Sequence, residues 1–243
     1  MRNKIEIVFL LLALIGEIMG TIGGFGSSVF FVPAANYYFD FHAVLGITAV
    51  FHVASNMSKI FLFKKGLDKT LIIYLGIPAV LFVIIGGVLS RFINVIYLEI
   101  ALGVFLILLS STFLLFKQLK VSKGKLPAMV GGTLSGFIAG VLGTGGAIRG
   151  LTMAAFNLEK SVFVATSAVI DLGVDFSRTI VYLYNGYVKT ELLIYIPFLI
   201  IIAIVGSWLG KKILNYIPQN LFKRLSLLLI LVIGILTLFN AVG

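Results

Sequence analysis

The sequence predicts an all-α polytopic membrane protein made of two homologous repeats of about four hydrophobic segments, each opening with a glycine-broken helix pair. Three observations carry this. The 243 residues are 60% hydrophobic, with a mean hydropathy of +1.15, against roughly 45–50% apolar residues in soluble domains. The apolar runs are continuous and mostly reach the ~20 residues a helix needs to cross a ~30 Å hydrocarbon core, so they do not show the alternation of a barrel. Finally, a glycine cluster, GTIGGFGSS from Gly20, returns about 120 residues later as GVLGTGGAIRG from Gly140.

In chain order the apolar stretches are 5–19 with 29–39, then 43–63, 70–89, 96–116, 127–142 with 147–156, 161–183, 190–209 and 221–241. Arg2 and Lys4 precede the first as they would a secretory signal, but no small-x-small cleavage site closes it, so it is expected to stay in the mature chain. With a shift of 120, Gly20, Gly23 and Gly26 fall on Gly140, Gly143 and Gly146. With a shift of 119, Thr48, His52, Asn56 and Lys59 fall on Ser167, Asp171, Asp175 and Arg178, Pro78 on Pro197, and Gly87 on Gly206. A period this long marks a duplicated domain rather than a solenoid. The expected organisation is one transmembrane domain, 1–243, with repeat one at 1–119 and repeat two at 120–243.

Residues 5–39 and 127–156 are too long for one simple span, and glycines that each cost about 1 kcal/mol inside a helix break them centrally. Each block is either a span with an irregular loop outside the membrane or two half-helices forming a re-entrant hairpin. Loop cations bear on the choice. Setting aside Lys59, Arg149 and Arg178, which lie within apolar blocks, 16 of the 19 lysines and arginines remain. Four spans per repeat with a cytoplasmic N-terminus place ten inside and six outside. Re-entrant hairpins leave three spans per repeat and invert the halves; with an external N-terminus they place twelve inside and four outside. The second count agrees better with the positive-inside rule. Inverted repeats whose broken helices meet near the midplane also put irregular backbone where it can line a cavity. The net charge of +10 is thus an orientation signal facing the cytoplasm; the expected surroundings are membrane lipid, and no nucleic-acid partner is expected.

A half-helix that starts at a glycine tip offers free N–H groups and the positive end of its dipole to an anion. Gly23, Gly24, Gly26, Ser27 and Ser28 form one tip and Thr144, Gly145 and Gly146 the other. With Arg149 and Arg178 they make the candidate substrate-binding set; close helix packing is the plainer use of such glycines. The spans that follow carry polar stripes at helical spacing: Thr48, His52, Ser55, Asn56 and Lys59 on one, Ser167, Asp171, Asp175 and Arg178 on the other. A charge facing lipid at the bilayer centre costs at least about 2.5 kcal/mol, so both stripes are expected to face inward. Asp175 and Arg178 can pair at i,i+3, while Lys59 and Arg178 lie near enough to helix ends for their stems to reach the interface. His52 is the side chain suited to change charge near neutral pH. Together with Glu17, Asn56, Asp171 and Asp175 it makes the candidate coupling or gating set, with protons as the candidate coupling ion.

The chain has no cysteine, which removes disulfides, thiol nucleophiles and cysteine metal sites. HExxH, Walker, GxSxG and EF-hand signatures are absent, and the second glycine cluster follows a membrane helix rather than a strand. Two histidines ten residues apart make a weak metal case. Neither catalysis nor a metal or cofactor is expected.

The segments GTIGGFGSSVFFVP at Gly20 to Pro33 and GFIAGVLGTGGAIRG at Gly136 to Gly150, with the small-polar turns LGITAV and VATSAV, resemble the TauE/SafE family of bacterial and archaeal permeases, sometimes called sulfite exporters. The likeness runs over nearly the whole chain. It implies a multi-pass protein of the cytoplasmic membrane that moves sulfite, sulfoacetate or another organosulfonate, in agreement with an anion site at the tips, and the expected mode of transport is alternating access. One departure is Thr152 and Met153 where the first half has Val32 and Pro33. A transporter of another small solute or cation built on Asp171 and Asp175, and an anion channel using the same site, stay open. Gly86, Gly87 and Gly206 offer packing faces within a protomer or in a homo-oligomer.

Overall fold

Three helices begin where the sequence supplies a side-chain oxygen for an otherwise unsatisfied N–H. In this computed structural model, which describes residues 2–23, 26–63, 66–116, 122–214, 216 and 219–242, Asp40 accepts from Ala43 N–H at 3.2 Å, Asp68 from Leu71 N–H at 2.9 Å and Asn94 from Ile96 N–H at 3.0 Å. These residues open the third, fourth and fifth of ten helical elements among the described residues. The elements are α1 (Arg2–Gly23), α2 (Ser28–Asn36), α3 (Phe41–Leu62), α4 (Lys69–Ser90) and α5 (Val95–Leu115), then α6 (Lys125–Leu142), α7 (Gly146–Ala154), α8 (Lys160–Tyr184), α9 (Thr190–Ile213) and α10 (Gln219–Val242). Pro78 and Pro197 each stand just after an irregular stretch, a π turn at Ile72–Gly76 in α4 and a 3₁₀ turn at Thr190–Tyr195 in α9. Proline removes one donor from the helical ladder at that point.

Five helices, Phe41–Leu62, Lys69–Ser90, Val95–Leu115, Lys125–Leu142 and Thr190–Ile213, are long and apolar enough to cross a membrane. The chain is therefore an all-helical, multi-pass membrane protein. At 25 residues α8 is also long enough, but it carries Asp171, Asp175 and Arg178.

Contacts between particular residues give the helix directions. Gly16 lies against Phe30 and Phe31, Gly20 against Ser27, and the Phe9 ring packs on Phe39 at 5.0 Å, so α2 folds back antiparallel along α1. In the same way Gly131 meets Thr152 and Gly145 meets Ser135, folding α7 back along α6. Both returning helices are nine residues long. Their bends use left-handed glycines, Gly26 at φ +80° and Gly143 at φ +73°, a conformation that costs other residues strain.

Gly132, Gly136 and Gly140 of α6 sit directly on the carbonyls of Leu75, Ala79 and Val83 of α4. The constant offset makes these helices parallel and nearly in backbone contact. Gly206 and Gly210 of α9 take Glu17 and Thr21 of α1 in the same parallel sense. By contrast, α3 crosses α8 antiparallel, and α5 runs antiparallel to α10 with Gly103 and Gly234 at their closest approach. The N-terminus of α1 and the α4–α5 and α8–α9 connections therefore lie at one end of the bundle. The α3–α4, α5–α6, α7–α8 and α9–α10 connections lie at the other.

The largest apolar core gathers Phe9, Phe31, Phe41, Phe51, Leu102 and Tyr182 with their neighbours. A second core surrounds the α4–α6 contact, and a small third cluster of Ile22, Phe63, Ala165 and Leu214 stands toward the α3–α4 end.

Replacing Gly136 with leucine forces a side chain into the Ala79 backbone, which cannot rotate away. Overpacking costs about 1–3 kcal/mol where neighbours can yield and more where they cannot. The expected result is a lower unfolding temperature of the purified protein in detergent, checked by a thermal melt beside Ala101→Leu, an exposed position on α5 where the added side chain meets no neighbouring backbone.

Candidate functional site

The two hairpins meet at their glycine bends. A Cβ added to Gly26 would lie 3.9 Å from Gly146 Cα and 3.9 Å from Arg149 Nη2, and one added to Gly143 would lie 3.3 Å from the Val32 side chain. At Gly26 these are ordinary contacts, so the glycine there serves the left-handed turn, whereas a Cβ at Gly143 would also collide with Leu45. Beside the junction is a cavity of about 40 Å³. Its wall draws on both bends through Gly26, Ser27, Ser28, Gly145 and Gly146, on α7 through Arg149, on α3 through His52, Ser55, Asn56 and Lys59, and on α8 through Ser167, Asp171, Asp175 and Arg178. Neither α2 nor α7 has a side-chain cap at its start, so first-turn N–H groups remain available beside this wall.

The cavity region is charge-balanced. Three cations and three carboxylates pair one to one: Lys59 with Glu17 at 2.9 Å, Arg149 with Asp171, and Arg178 with Asp175 at 2.7 Å. In the last pair Arg178 Nε approaches Asp175 closely, but the direction of its N–H does not complete a hydrogen bond. Asn56 donates to the other Asp175 oxygen at 2.6 Å, and Arg149 Nε donates to Ser167 at 3.2 Å. Glu17 is wholly buried and accepts from Thr21 at 3.3 Å, Ser27 at 2.7 Å, Ser55 at 2.7 Å and Ser207 at 2.8 Å besides Lys59.

His52 bridges the two groups of charges. Arg178 Nη2 lies 3.1 Å from its Nδ1, and Ser27 Oγ lies 3.0 Å from its Nε2. A guanidinium only donates, so Nδ1 accepts and the imidazole proton sits on Nε2, pointing to Ser27. Ser27 in turn spends its own hydroxyl proton on Glu17. A directed chain thus runs Arg178 to His52 to Ser27 to Glu17. Arg178 Nη1 also donates to the Gly143 carbonyl at 2.7 Å, tethering the α6–α7 bend. Tyr182 adds to this anchor by donating to Gly140 O at 2.7 Å.

Most residues singled out in the sequence converge here. Gly26, Ser27, Ser28, Gly145, Gly146, Arg149, Arg178, His52, Asn56, Asp171 and Asp175 line the cavity, and Glu17 reaches it through Ser27, Ser55 and Lys59. Gly23 and Thr144 are not on the wall; the Thr144 hydroxyl is buried without a hydrogen-bond partner among the described residues. Gly24 lies outside the described residues. Lys59 and Arg178 do not reach for the interface: they are 7% and 1% exposed and spend their charge internally. Ser207 and Tyr182 were not singled out in the sequence. Gly206, which makes room for Glu17, was the available pointer to Ser207, whereas Tyr182 reads there as one more core aromatic.

Comparison with known proteins gives a family match over residues 8–237 to a model described as sulfite exporter TauE/SafE. A probable membrane transporter protein of Methanocaldococcus jannaschii is 29% identical over 273 aligned positions, which cover 97% of this chain and 98% of that one. No solved structure matches.

Breaking a buried ion pair by neutralising one partner typically costs about 3–5 kcal/mol, because the other charge is stranded. Glu17→Gln is expected to lose stability on that scale, and adding Lys59→Met to recover most of it. Thermal unfolding of the two purified variants beside the parent reads both.

Proposed function

Because this chain belongs to the sulfite exporter TauE/SafE family and is a membrane transporter, we propose that it moves a small anion, sulfite or an organosulfonate, by alternating access at the junction of the two hairpins. The observation that carries the reading is the meeting of two uncapped helix starts with Arg149 beside a buried polar cavity. N–H groups at helix starts and a guanidinium are the donors a tetrahedral or pyramidal oxyanion requires. Ser27, Ser28 and the glycine amides supply the neutral donors and Arg149 the charge, while Asp171, now paired with Arg149, is the internal carboxylate the substrate displaces.

The proposed orientation puts the α3–α4 end in the cytoplasm, with twelve loop cations there and four at the other end. Both α1–α2 and α6–α7 are then re-entrant, and the halves are inverted. Asn56 and Asp175, equivalent under the shift of 119, bond to each other where α3 crosses α8 antiparallel, as residues on a two-fold axis in the membrane plane would. The packing toward the cytoplasmic end is the thin cluster of Ile22, Phe63, Ala165 and Leu214, while the main core is thick. Opening the thin side is the smaller rearrangement. Direction of transport follows the gradients.

The deciding experiment is labelled flux in proteoliposomes with sulfite, sulfoacetate, ethanesulfonate, sulfate and acetate. Saturable flux of sulfite or a sulfonate is expected. Unsaturable flux would indicate a channel, and silence for every anion alongside uptake of a cation would move the function to Asp171 and Asp175.

Arg149→Gln is expected to lower the anion flux at least about tenfold, the scale of one lost charge-assisted contact, with a melt on the same sample showing that the fold persists. For the orientation, single cysteines at exposed Lys123 and Lys189 should label from opposite sides of sealed cells, Lys189→Cys from outside. Labelling of both from one side would overturn the inverted arrangement.

A further inference from the structure

We propose that His52 and Arg178 form a proton-operated latch, in which a proton taken up by His52 releases Arg178 from its internal contacts and presents its guanidinium to the anion. The proposal rests on the anion-transport reading above and assigns how proton and anion are coupled.

In the present arrangement Arg178 is held inside the protein and 1% exposed, with Asp175, the Gly143 carbonyl and His52 Nδ1 around it. His52 already carries its proton on Nε2, directed at Ser27. A second proton can enter only at Nδ1, the atom that accepts from Arg178. Protonation of His52 and its contact with Arg178 therefore exclude each other.

The charges around His52 decide where each group goes next. From α1, Glu17 reaches it through Ser27; on its own helix stands Lys59; from α7 comes Arg149; from α8 come Asp171, Asp175 and Arg178. All three cations already have carboxylate partners, so an imidazolium adds a positive charge without one. Asp175 is the carboxylate on the Nδ1 side of the ring: it pairs with the same guanidinium that meets Nδ1, whereas Glu17 is reached from Nε2 through Ser27. The new Nδ1–H takes the place of Arg178 on Asp175, and the guanidinium turns into the cavity both residues line. As it leaves, Gly143 loses its tether, so the α6–α7 bend loosens in the same step. One proton enters from the cavity water, one N–H bond forms, and the cavity gains one positive charge. A bound monoanion cancels that charge, so proton and anion are carried together as an electroneutral pair. By linkage each must raise the affinity for the other by the same factor.

The probe is ethanesulfonate, which stays a monoanion across the histidine range, so its own titration cannot imitate the effect. Its Kd is measured with the whole protein in nanodiscs between about pH 5.5 and 8.5, with a pH-indicator dye counting protons. The latch predicts a Kd that falls as pH falls, approaching about tenfold per unit on the alkaline side of the transition, with about one proton taken up per ethanesulfonate bound. His52→Gln supplies an oxygen for Arg178 and an N–H for Ser27 but cannot take the proton. It is expected to bind weakly, with no pH dependence and no proton uptake. Wild-type binding that is independent of pH and proton-free overturns the latch and leaves the anion reading standing. Undiminished proton uptake in His52→Gln overturns it too, by assigning the proton elsewhere. Absence of ethanesulfonate binding at every pH overturns the sulfonate reading and the latch with it. Should His52→Gln fail to fold, the wild-type proton count still decides.

Discussion

Three cations at membrane depth cannot be left facing lipid or buried alone, and the interior of this protein is arranged around that constraint. An unpaired buried charge costs several kcal/mol, so each cation must meet a carboxylate with the remaining hydrogen-bonding capacity also filled. Lys59 finds Glu17 on another helix, Arg149 finds Asp171, and Arg178 finds Asp175 one turn away. Because the partners come from α1, α3, α7 and α8, satisfying the charges also fixes how both hairpins sit against the crossing pair. The serines around Glu17 extend this to α9 through Ser207.

Such pairing is possible only where backbones come close, and the glycines provide for that. The stripe Gly132, Gly136, Gly140 brings α6 onto the α4 carbonyls, and Gly206 with Gly210 opens α9 to the side chains of Glu17 and Thr21. Without a hydrophobic drive between helices in lipid, close packing of this kind is a main source of association. The glycines of the bends do a different job: Gly26 and Gly143 turn the chain at left-handed φ, so two short helices start inside the protein with unshared N–H groups. Packing glycines and turning glycines lie within a few residues of one another in sequence, and their roles separate only in three dimensions.

A charge-balanced, tightly filled site has a consequence for transport. A substrate anion cannot simply be added to a cluster in which every cation is paired; it must exchange with an internal carboxylate or arrive with compensating positive charge. That makes the ion pairs part of the transport cycle as well as of the fold. It also means that Arg149, whose carboxylate Asp171 is partly exposed to the cavity, and Arg178, sealed behind His52 and Gly143, are not equivalent although both are arginines on apolar helices.

Continuous apolar runs determined the helices and nearly their limits, because a backbone in lipid must satisfy its own hydrogen bonds and only helices do so one segment at a time. Helical spacing likewise determined that Thr48 to Lys59 and Ser167 to Arg178 face inward, and that Asp175 and Arg178 can pair, since these depend on local geometry alone. What the sequence left open was which carboxylate each other cation would find. Lys59 and Glu17 are separated by two bends and a change of helix, and His52 meets Arg178 across 126 positions. Long side chains have reach enough to satisfy several different pairings. Only the tertiary structure, by crossing α3 over α8 and laying one bend against the other, decided among them, because the cost of a stranded buried charge depends on every helix around it.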